Sequence, residues 1–406
     1  MSKAKQNMLV YRVAQAISGA LSSVVFKRKF IRNELKNIEG PAVVIGNHQA
    51  ALDFTTLIGA TKRPITFVVS YSFYNTLPIR SLMDKIGVIP KQQFQTTIKE
   101  IVQMKTAVKD GKILMLYPAG LMCEDGLSTP IPCSTYAFLK RLDADVYVAR
   151  TAGTYFCTPK WSAKIRPGRT YMDIYKLITK EELAVLSPEE IEVSVKNALL
   201  FDAYREQEQA LVKYRGADNV QGLENVLYIC PHCKKEFTIQ VKNKKTLYCT
   251  ECGFEHTSDE YGFLHNSGKV GEEIRYVSDW ARFISDEVEN GIKNGLITEI
   301  SADATVQTIN LKKKKYLDVG RAKITLNSKK FIIDGTINGE SAYIEVPIAT
   351  FSSIPFKPGC RFEIQHNKCS YRCVLDDGKL AQKFVNIVKK YYELNEIERK
   401  SKKVSE

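Results

Sequence analysis

Gly46-Asn47-His48-Gln49-Ala50-Ala51-Leu52-Asp53 follows directly on Val43-Val44-Ile45, an apolar, β-branched run that reads as a buried strand. A His and an Asp with four residues between them at a strand exit suit a general base and the carboxylate that orients it. Five residue steps of about 100° leave the two side chains roughly 140° apart on a regular helix. They cannot share one helix face. The spacing therefore predicts His48 on a strand–helix loop and Asp53 in the first helical turn, where a carboxylate also complements the positive helix end. Taken alone, the pair reads equally well as a loop histidine beside an ordinary first-turn carboxylate.

Outward from this stretch, residues 36–176 alternate short apolar strands with helical segments. Strands are expected at Ala42–Ile45, Ile65–Val69, Val88–Pro90, Ile113–Tyr117, Val146–Arg150 and Tyr171–Tyr175, and helices at Ile79–Lys85, Thr96–Lys109 and Thr135–Leu142. That alternation predicts an α/β layered domain, with ligand crevices just past the strand ends. Ser187-Pro188-Glu189-Glu190 is a helix start, with Ser187 as cap, Pro188 in the first position and Glu190 completing a capping box. The helix it opens is expected to run to near Lys213.

The His48–Asp53 segment resembles the N-H-x4-D block of the glycerolipid acyltransferases, the 1-acylglycerol-3-phosphate acyltransferase family. Further blocks follow in that family's order. Ile86-Gly87-Val88-Ile89-Pro90-Lys91 looks like its G-x-I-x-R block, and Leu116-Tyr117-Pro118-Ala119-Gly120, followed by Glu124-Asp125-Gly126, looks like its F-P-E-G block. Val146-Tyr147-Val148-Ala149-Arg150 and Arg166-Pro167-Gly168-Arg169 resemble its late strand and R-P-G turn. The resemblance spans about residues 8–200. It implies that His48 is the general base and that Asp53 orients it. It also implies acyl transfer from a thioester donor, acyl-CoA or acyl carrier protein, to a lysophospholipid or related hydroxyl acceptor. Tyr117, Pro118, Ala119, Gly120, Lys91 and Arg150 become candidate substrate-binding residues, with Lys91 and Arg150 facing an anionic acceptor or the donor's phosphates. Backbone groups near Gly120 become candidates for holding the oxyanion.

The departures from the family concern the acceptor. Its Glu in F-P-E-G is Ala119 here, the Arg two residues past the Gly is Met122, and the basic residue of G-x-I-x-R is Lys91. Ala119 offers no acceptor or charge, and Met122 cannot make an Arg's bidentate phosphate contact. Lys91 can serve as a point charge. The expectation is an acyltransferase with an altered acceptor site. The alternative is a catalytically impaired scaffold that binds lipid or acyl donor together with a partner. Cys123, in place of a small polar residue of the family block, reads as a buried small residue rather than an acyl-cysteine nucleophile.

Beyond a Gly-containing linker at Arg215–Asn225 come Cys230-Pro231-His232-Cys233 and Cys249-Thr250-Glu251-Cys252. Two C-x-x-C knuckles fifteen residues apart present four thiolates to one tetrahedral site. Phe237–Val241 and Thr246–Tyr248 read as the hairpin between them, so Cys230, Cys233, Cys249 and Cys252 are expected to hold a structural Zn²⁺ in a zinc ribbon. Trp280–Asn294 reads as a helix. Six short strands follow, at Thr305–Asn310, Ala322–Leu326, Phe331–Asp334, Ala342–Val346, Arg361–His366 and Ser370–Leu375, before an amphipathic helix at Lys379–Leu394. Antiparallel strands closed by one helix are the order of a pleckstrin-homology-like module. The expected organisation is an N-terminal helix within 1–35, an acyltransferase-like α/β domain at 36–214, a linker at 215–227, the ribbon at 228–262, a helix plus β-rich domain at 263–398 and a charged, disordered tail at 399–406.

A net charge of +14 over 406 residues points to an anionic partner. No nucleic-acid motif accompanies the lysine runs, which makes an anionic membrane surface the better fit. Met8–Phe26 is apolar but interrupted by Arg12, Gln15 and Ser18, and Lys27, Arg28, Lys29 and Arg32 follow. With Leu9, Val13, Ile17 and Leu21 on one side, it suits an interfacial anchor as well as a helix packed on the domain, and not a membrane span. Basic residues after the apolar segment argue against a signal peptide. The six cysteines outside the knuckles are scattered, which favours a reducing compartment. Together these place the protein in the cytoplasm, peripheral on the inner face of the cell membrane.

Overall fold

The computed structural model describes residues 6–76, 78–349 and 351–405. The chain divides into two units. One runs to Pro159 and takes in Lys164–Arg215 and Leu311–Lys315; the other holds Lys160–Ala163, Gly216–Asn310 and the chain from Tyr316 onward.

The first unit contains α1 (Met8–Val24), β1 (Lys29–Asn33), β2 (Ala42–Gly46), α2 (Asp53–Leu57), β3 (Ile65–Ser70), α3 (Tyr71–Thr76), α4 (Arg80–Ile86), β4 (Ile89–Lys91), α5 (Ile98–Lys109), β5 (Ile113–Leu116), α6 (Ser134–Lys140), β6 (Asp145–Ala152), α7 (Thr154–Cys157), β7 (Tyr171–Ile178), α8 (Lys180–Val185), α9 (Pro188–Leu199) and α10 (Ala203–Ala210). Its sheet has the order β1-β7-β6-β2-β5-β3-β4. β2 runs parallel to both β5 and β6, and β3 parallel to β5 and β4. β1 runs parallel to β7, and β6 pairs antiparallel with β7. Every residue of β2 and β5 is buried, as strands covered on both faces require. Alternation sorts them between two cores. Val43, Ile45, Leu114 and Leu116 join Met104, Tyr136, Leu139, Ile191 and Val195 on one face. Val44, Ile113 and Met115 join Tyr11, Leu57 and Ile58 on the other.

Helix α1 is stitched to this second face. Tyr11 is fully buried and accepts the Ile65 amide at 2.8 Å, while Gln15 Nε2 donates to Ile58 O at 2.9 Å and Thr61 O at 3.0 Å. Its other side is open: Leu9 is 76% exposed, Val13 53%, Ile17 66% and Val24 72%. Leu21 is half-buried. The helix therefore both packs on the domain and presents an apolar stripe to solvent.

The second unit begins with a short 3-10 turn (Leu223–Asn225) and a four-stranded sheet of order β11-β10-β9-β8, from β8 (Ile239–Lys242), β9 (Thr246–Cys249), β10 (Glu255–Ser258) and β11 (Leu264–Asn266). Helix α11 (Val277–Lys293) follows. Its Trp280 is fully buried, donates from Nε1 to Ile229 O at 2.8 Å and meets Phe254 edge-on at 5.4 Å. Then come β12 (Glu299–Asn310), β13 (Lys315–Asn327), β14 (Lys330–Ile337), β15 (Glu340–Pro347), β16 (Phe356–Lys357), β17 (Arg361–His366) and β18 (Cys369–Leu375), in the order β15-β14-β13-β12-β18-β17-β16. The closing helix α12 (Leu380–Ser405) buries Phe384, Val385, Ile387 and Val388, with Phe384 and Phe362 at 4.8 Å.

Four expectations differ from this architecture. The helix opened by Pro188 stops at Leu199: Leu200 turns extended, Phe201 is buried, and Asp202 caps α10 by accepting the Tyr204 and Arg205 amides. The basic cluster after α1 supplies β1, an edge strand. The expected linker is packed, with Ala217, Val220, Leu223 and Val226 buried. The charged tail continues α12 as far as Ser405, since Lys, Glu and Arg are good helix formers; Glu406 lies outside the described residues.

Candidate active site

β2 ends at Gly46 and the chain turns outward at once, with His48 on the loop and Asp53 as the first residue of α2. This is the placement that the five-residue spacing demands. Asp53 is fully buried, and its Oδ2 lies 3.0 Å from His48 Nδ1. The same oxygen accepts the backbone N–H of Gln49 at 2.8 Å and of Ala50 at 2.9 Å. The carboxylate thus folds the loop around itself and fixes one edge of the imidazole. An acidic neighbour at Nδ1 selects the tautomer with its proton on that nitrogen, leaving Nε2 as the acceptor. Asp53 Oδ1 is buried with no hydrogen-bond partner among the described residues.

The flanking amides hold the loop to its neighbours. Buried Asn47 donates from Nδ2 to Thr151 O at 2.8 Å and accepts the Thr151 amide at 2.7 Å, extending the β2–β6 ladder through a side chain. Buried Gln49 accepts from Thr154 Oγ1 at 3.2 Å and from the Tyr155 amide at 3.3 Å. The reading of the sequence missed both residues. The available signal was two amides flanking a histidine at the end of a buried strand, where each must find partners.

Tyr117, one residue past β5, lies against His48 with ring centroids 4.1 Å apart and planes 15° from parallel. Burial, and secondarily the charge of Asp53, holds its phenol well above the ordinary range, so it stays protonated. Pro118 is buried and Ala119 half-buried. Gly120 is exposed at φ +69° and donates its amide to Tyr117 O at 2.9 Å, closing the turn. Cys123 is buried; its amide donates to His48 O at 3.1 Å, and burial pushes its thiol far up, so it is no ready nucleophile.

Lys91 ends β4, paired in register with Ser70 of β3, at the same carboxyl end of the parallel strands as the His48 loop. Its Nζ donates to Gln92 O at 3.3 Å. Burial draws its pKa down, only partly offset by the Glu100 carboxylate. Arg150 does not stand free for substrate. Its guanidinium reaches Glu206 Oε1 at 2.6 Å, Ala198 O at 3.2 Å and Leu200 O at 2.6 Å, clamping β6 to the turn between α9 and α10.

In the second unit, the sulfurs of Cys230, Cys233, Cys249 and Cys252 all lie within 4.8 Å of one another. Cys230 Sγ is 3.7 Å from Cys252 Sγ, and Cys233 Sγ is 3.7 Å from Cys249 Sγ. A tetrahedron with metal–sulfur bonds of about 2.3 Å has edges of about 3.8 Å, so these thiols fit a metal ion held by four sulfurs.

Residues 23–158 match the model of the acyltransferase family. This acyltransferase-like region contains the His48 loop, α2, the Tyr117 turn and Lys91. Among solved structures, the chain is similar to the 1-acyl-sn-glycerophosphate (LPA) acyltransferase PlsC from Thermotoga maritima, at 14% identity and TM-score 0.41, covering 50% of this chain and 79% of that one. It also matches the Ran binding domain of a nuclear complex component from Ashbya gossypii at 13% identity and TM-score 0.19, covering 24% of this chain and 97% of that one. No curated protein matches the chain.

Proposed function

We propose that the acyltransferase-like region is an O-acyltransferase, moving a fatty acyl group from a thioester, acyl-CoA or acyl carrier protein, to a hydroxyl acceptor of the lysophospholipid class. The observation that carries this reading is the 3.0 Å contact of His48 Nδ1 with buried Asp53. In the proposed reaction His48 Nε2 takes the acceptor's hydroxyl proton as that oxygen forms its bond to the thioester carbonyl carbon. Asp53 stabilises the imidazolium that results. The tetrahedral oxyanion collapses, the carbon–sulfur bond breaks, and the departing thiolate recovers the proton from His48. The products are an ester and a free thiol. Lys91, half-buried with its Nζ donating to Gln92 O, is proposed to meet an anionic group on the acceptor, since an opposite charge would offset its desolvation.

We further propose that the four-cysteine site holds a structural zinc ion. Four thiolates fill a tetrahedral shell and leave no open position for catalysis. The exposed apolar stripe of α1, beside Arg12, Lys27 and Lys29, is proposed to seat the protein on an anionic membrane surface. No described helix is long and apolar enough to cross a membrane.

The test is transfer of labelled acyl groups from acyl-CoA or acyl carrier protein to a panel of lysophospholipids and other alcohols. Product that forms with the wild type and is lost in His48→Ala supports the reading. No product with any acceptor, from folded protein, ends it.

A further inference from the structure

We propose that Tyr117 is a positioning residue for His48: an aromatic platform that fixes the plane of the imidazole and stabilises it once protonated. The proposal deepens the general-base reading of His48 and rests on it.

Three observations converge. The rings are stacked, with centroids 4.1 Å apart and planes 15° from parallel, so the imidazole lies on the π face of the phenol rather than against its edge. Asp53 Oδ2 holds the imidazole at its Nδ1 edge, 3.0 Å away. A ring fixed at one edge still rotates about that hydrogen bond; a ring fixed at one edge and one face does not. Together the two contacts leave Nε2 as the outward edge, and no described residue hydrogen-bonds it. Finally, the backbone makes room for the stack. A Cβ built on Gly46 would lie 3.0 Å from Tyr117 Cε1, 2.8 Å from Met115 Cε and 3.2 Å from Ala149 O. Side chains ending β5 and a bare backbone at the end of β2 are what bring the Tyr117 ring over the strand exit.

The stack bears on the reaction because His48 is neutral before proton transfer and cationic after it. A cation over an aromatic face in a desolvated site gains attraction that the neutral ring does not. The interaction is therefore stronger in the charged state, which is the condition for lowering a barrier. The ring supplies it and the hydroxyl does not, since the phenol is protonated and faces no hydrogen-bond partner in the stack.

The experiment uses the full-length protein as wild type, Tyr117→Phe, Tyr117→Leu and His48→Ala. Acyl-transfer kcat and KM are measured, together with the proton NMR shifts of histidine-labelled protein; His48→Ala assigns the His48 signals. An aromatic ring stacked on the imidazole shifts its carbon-bound protons upfield, whether or not any reaction occurs. In the expected result Tyr117→Phe keeps both the upfield shift and kcat. Tyr117→Leu loses the shift and lowers kcat about tenfold, equivalent to about 1.4 kcal/mol, with acceptor KM held within about twofold. The proposal is overturned if wild-type His48 shows no upfield shift, if Tyr117→Leu keeps full kcat, or if Tyr117→Phe is as damaged as Tyr117→Leu. Full activity in His48→Ala would instead sink the general-base reading, while the NMR shift would still report the stack. If Tyr117→Leu fails to fold, Tyr117→Met, a longer and adaptable side chain that still lacks the ring, carries the same test.

Discussion

At the residue scale, one carboxylate oxygen does most of the organising. Asp53 Oδ2 receives the imidazole and two backbone amides, so loop geometry and imidazole geometry are set by the same atom. Asp53→Asn separates these tasks. The amide oxygen can still accept the Gln49 and Ala50 N–H groups, but a neutral partner no longer stabilises an imidazolium, and the amide can present N–H to Nδ1 and favour the wrong tautomer. We expect kcat to fall at least about 10²-fold with the fold retained, and His48→Ala to fall about 10²- to 10⁴-fold. Single-turnover rates with folding checked by circular dichroism test both; a mild loss in Asp53→Asn would mean that the carboxylate only shapes the loop. The His–Asp pair was legible in the sequence because a five-residue spacing admits few arrangements at a strand exit. The Tyr117 stack was not, since Tyr117 is distant in sequence from His48 and reaches it only through the β2–β5 register. The contacts of Arg150 were not legible for a related reason: its acceptors, Glu206 and the carbonyls of Ala198 and Leu200, come from later in the chain, and a local pattern does not bring them to the strand.

Elements were legible where periodicity or spacing is strong. The buried strands and the two C-x-x-C knuckles belong to that class. Boundaries went astray where one local signal masked another: Asp202, an N-cap, sits in a polar run that reads as continuous helix, and the basic residues of β1 read as a flank of α1. The β8–β11 sheet and its four-cysteine cluster carry two predictions. Purified protein should contain one zinc per chain, and a strong chelator should make four further thiols reactive and lower the melting temperature of the second unit, because binding energy at such a site is folding energy. Full thermal stability after chelation would exclude a structural metal. The second concerns His256 on β10, which is fully buried, stacked on Phe254 at 4.4 Å, and accepts the Ile274 amide at Nε2. Burial lowers its pKa to about 4. An unfolded histidine titrates near 6.5, so between those values the unfolded chain binds more protons and stability falls as pH drops, by at most about 3 kcal/mol. Urea midpoints of wild type and His256→Gln measured at several values from pH 7 to pH 4 should show the wild type's advantage shrinking with acid. Cysteine protonation is common to both proteins and cancels in the difference. A gap that does not change with pH would assign the acid sensitivity elsewhere.

For the whole molecule, net charge and an exposed apolar stripe are the two features that the proposed membrane seating would use. A charge of +14 attracts an anionic bilayer from a distance set by the Debye length, about 10 Å at 0.1 M salt. The side chains of Leu9, Val13, Ile17 and Val24 are available to enter it, since the buried side of α1 is already engaged through Tyr11 and Gln15. The two terms are separable. Val13→Glu and Ile17→Glu alter residues that are 53% and 66% exposed, so the fold should tolerate them. Each removes apolar area worth about 1.5–3 kcal/mol when fully buried, and even half of that insertion amounts to several-fold in partitioning. The pair should therefore weaken sedimentation with vesicles containing roughly one-quarter phosphatidylglycerol by at least about tenfold. Raising salt to about 0.5 M should weaken wild-type binding by screening, while the residual binding it leaves should still depend on Val13 and Ile17. Vesicle binding abolished by salt and indifferent to both substitutions would assign membrane attraction to charge alone and leave the stripe without a role in it.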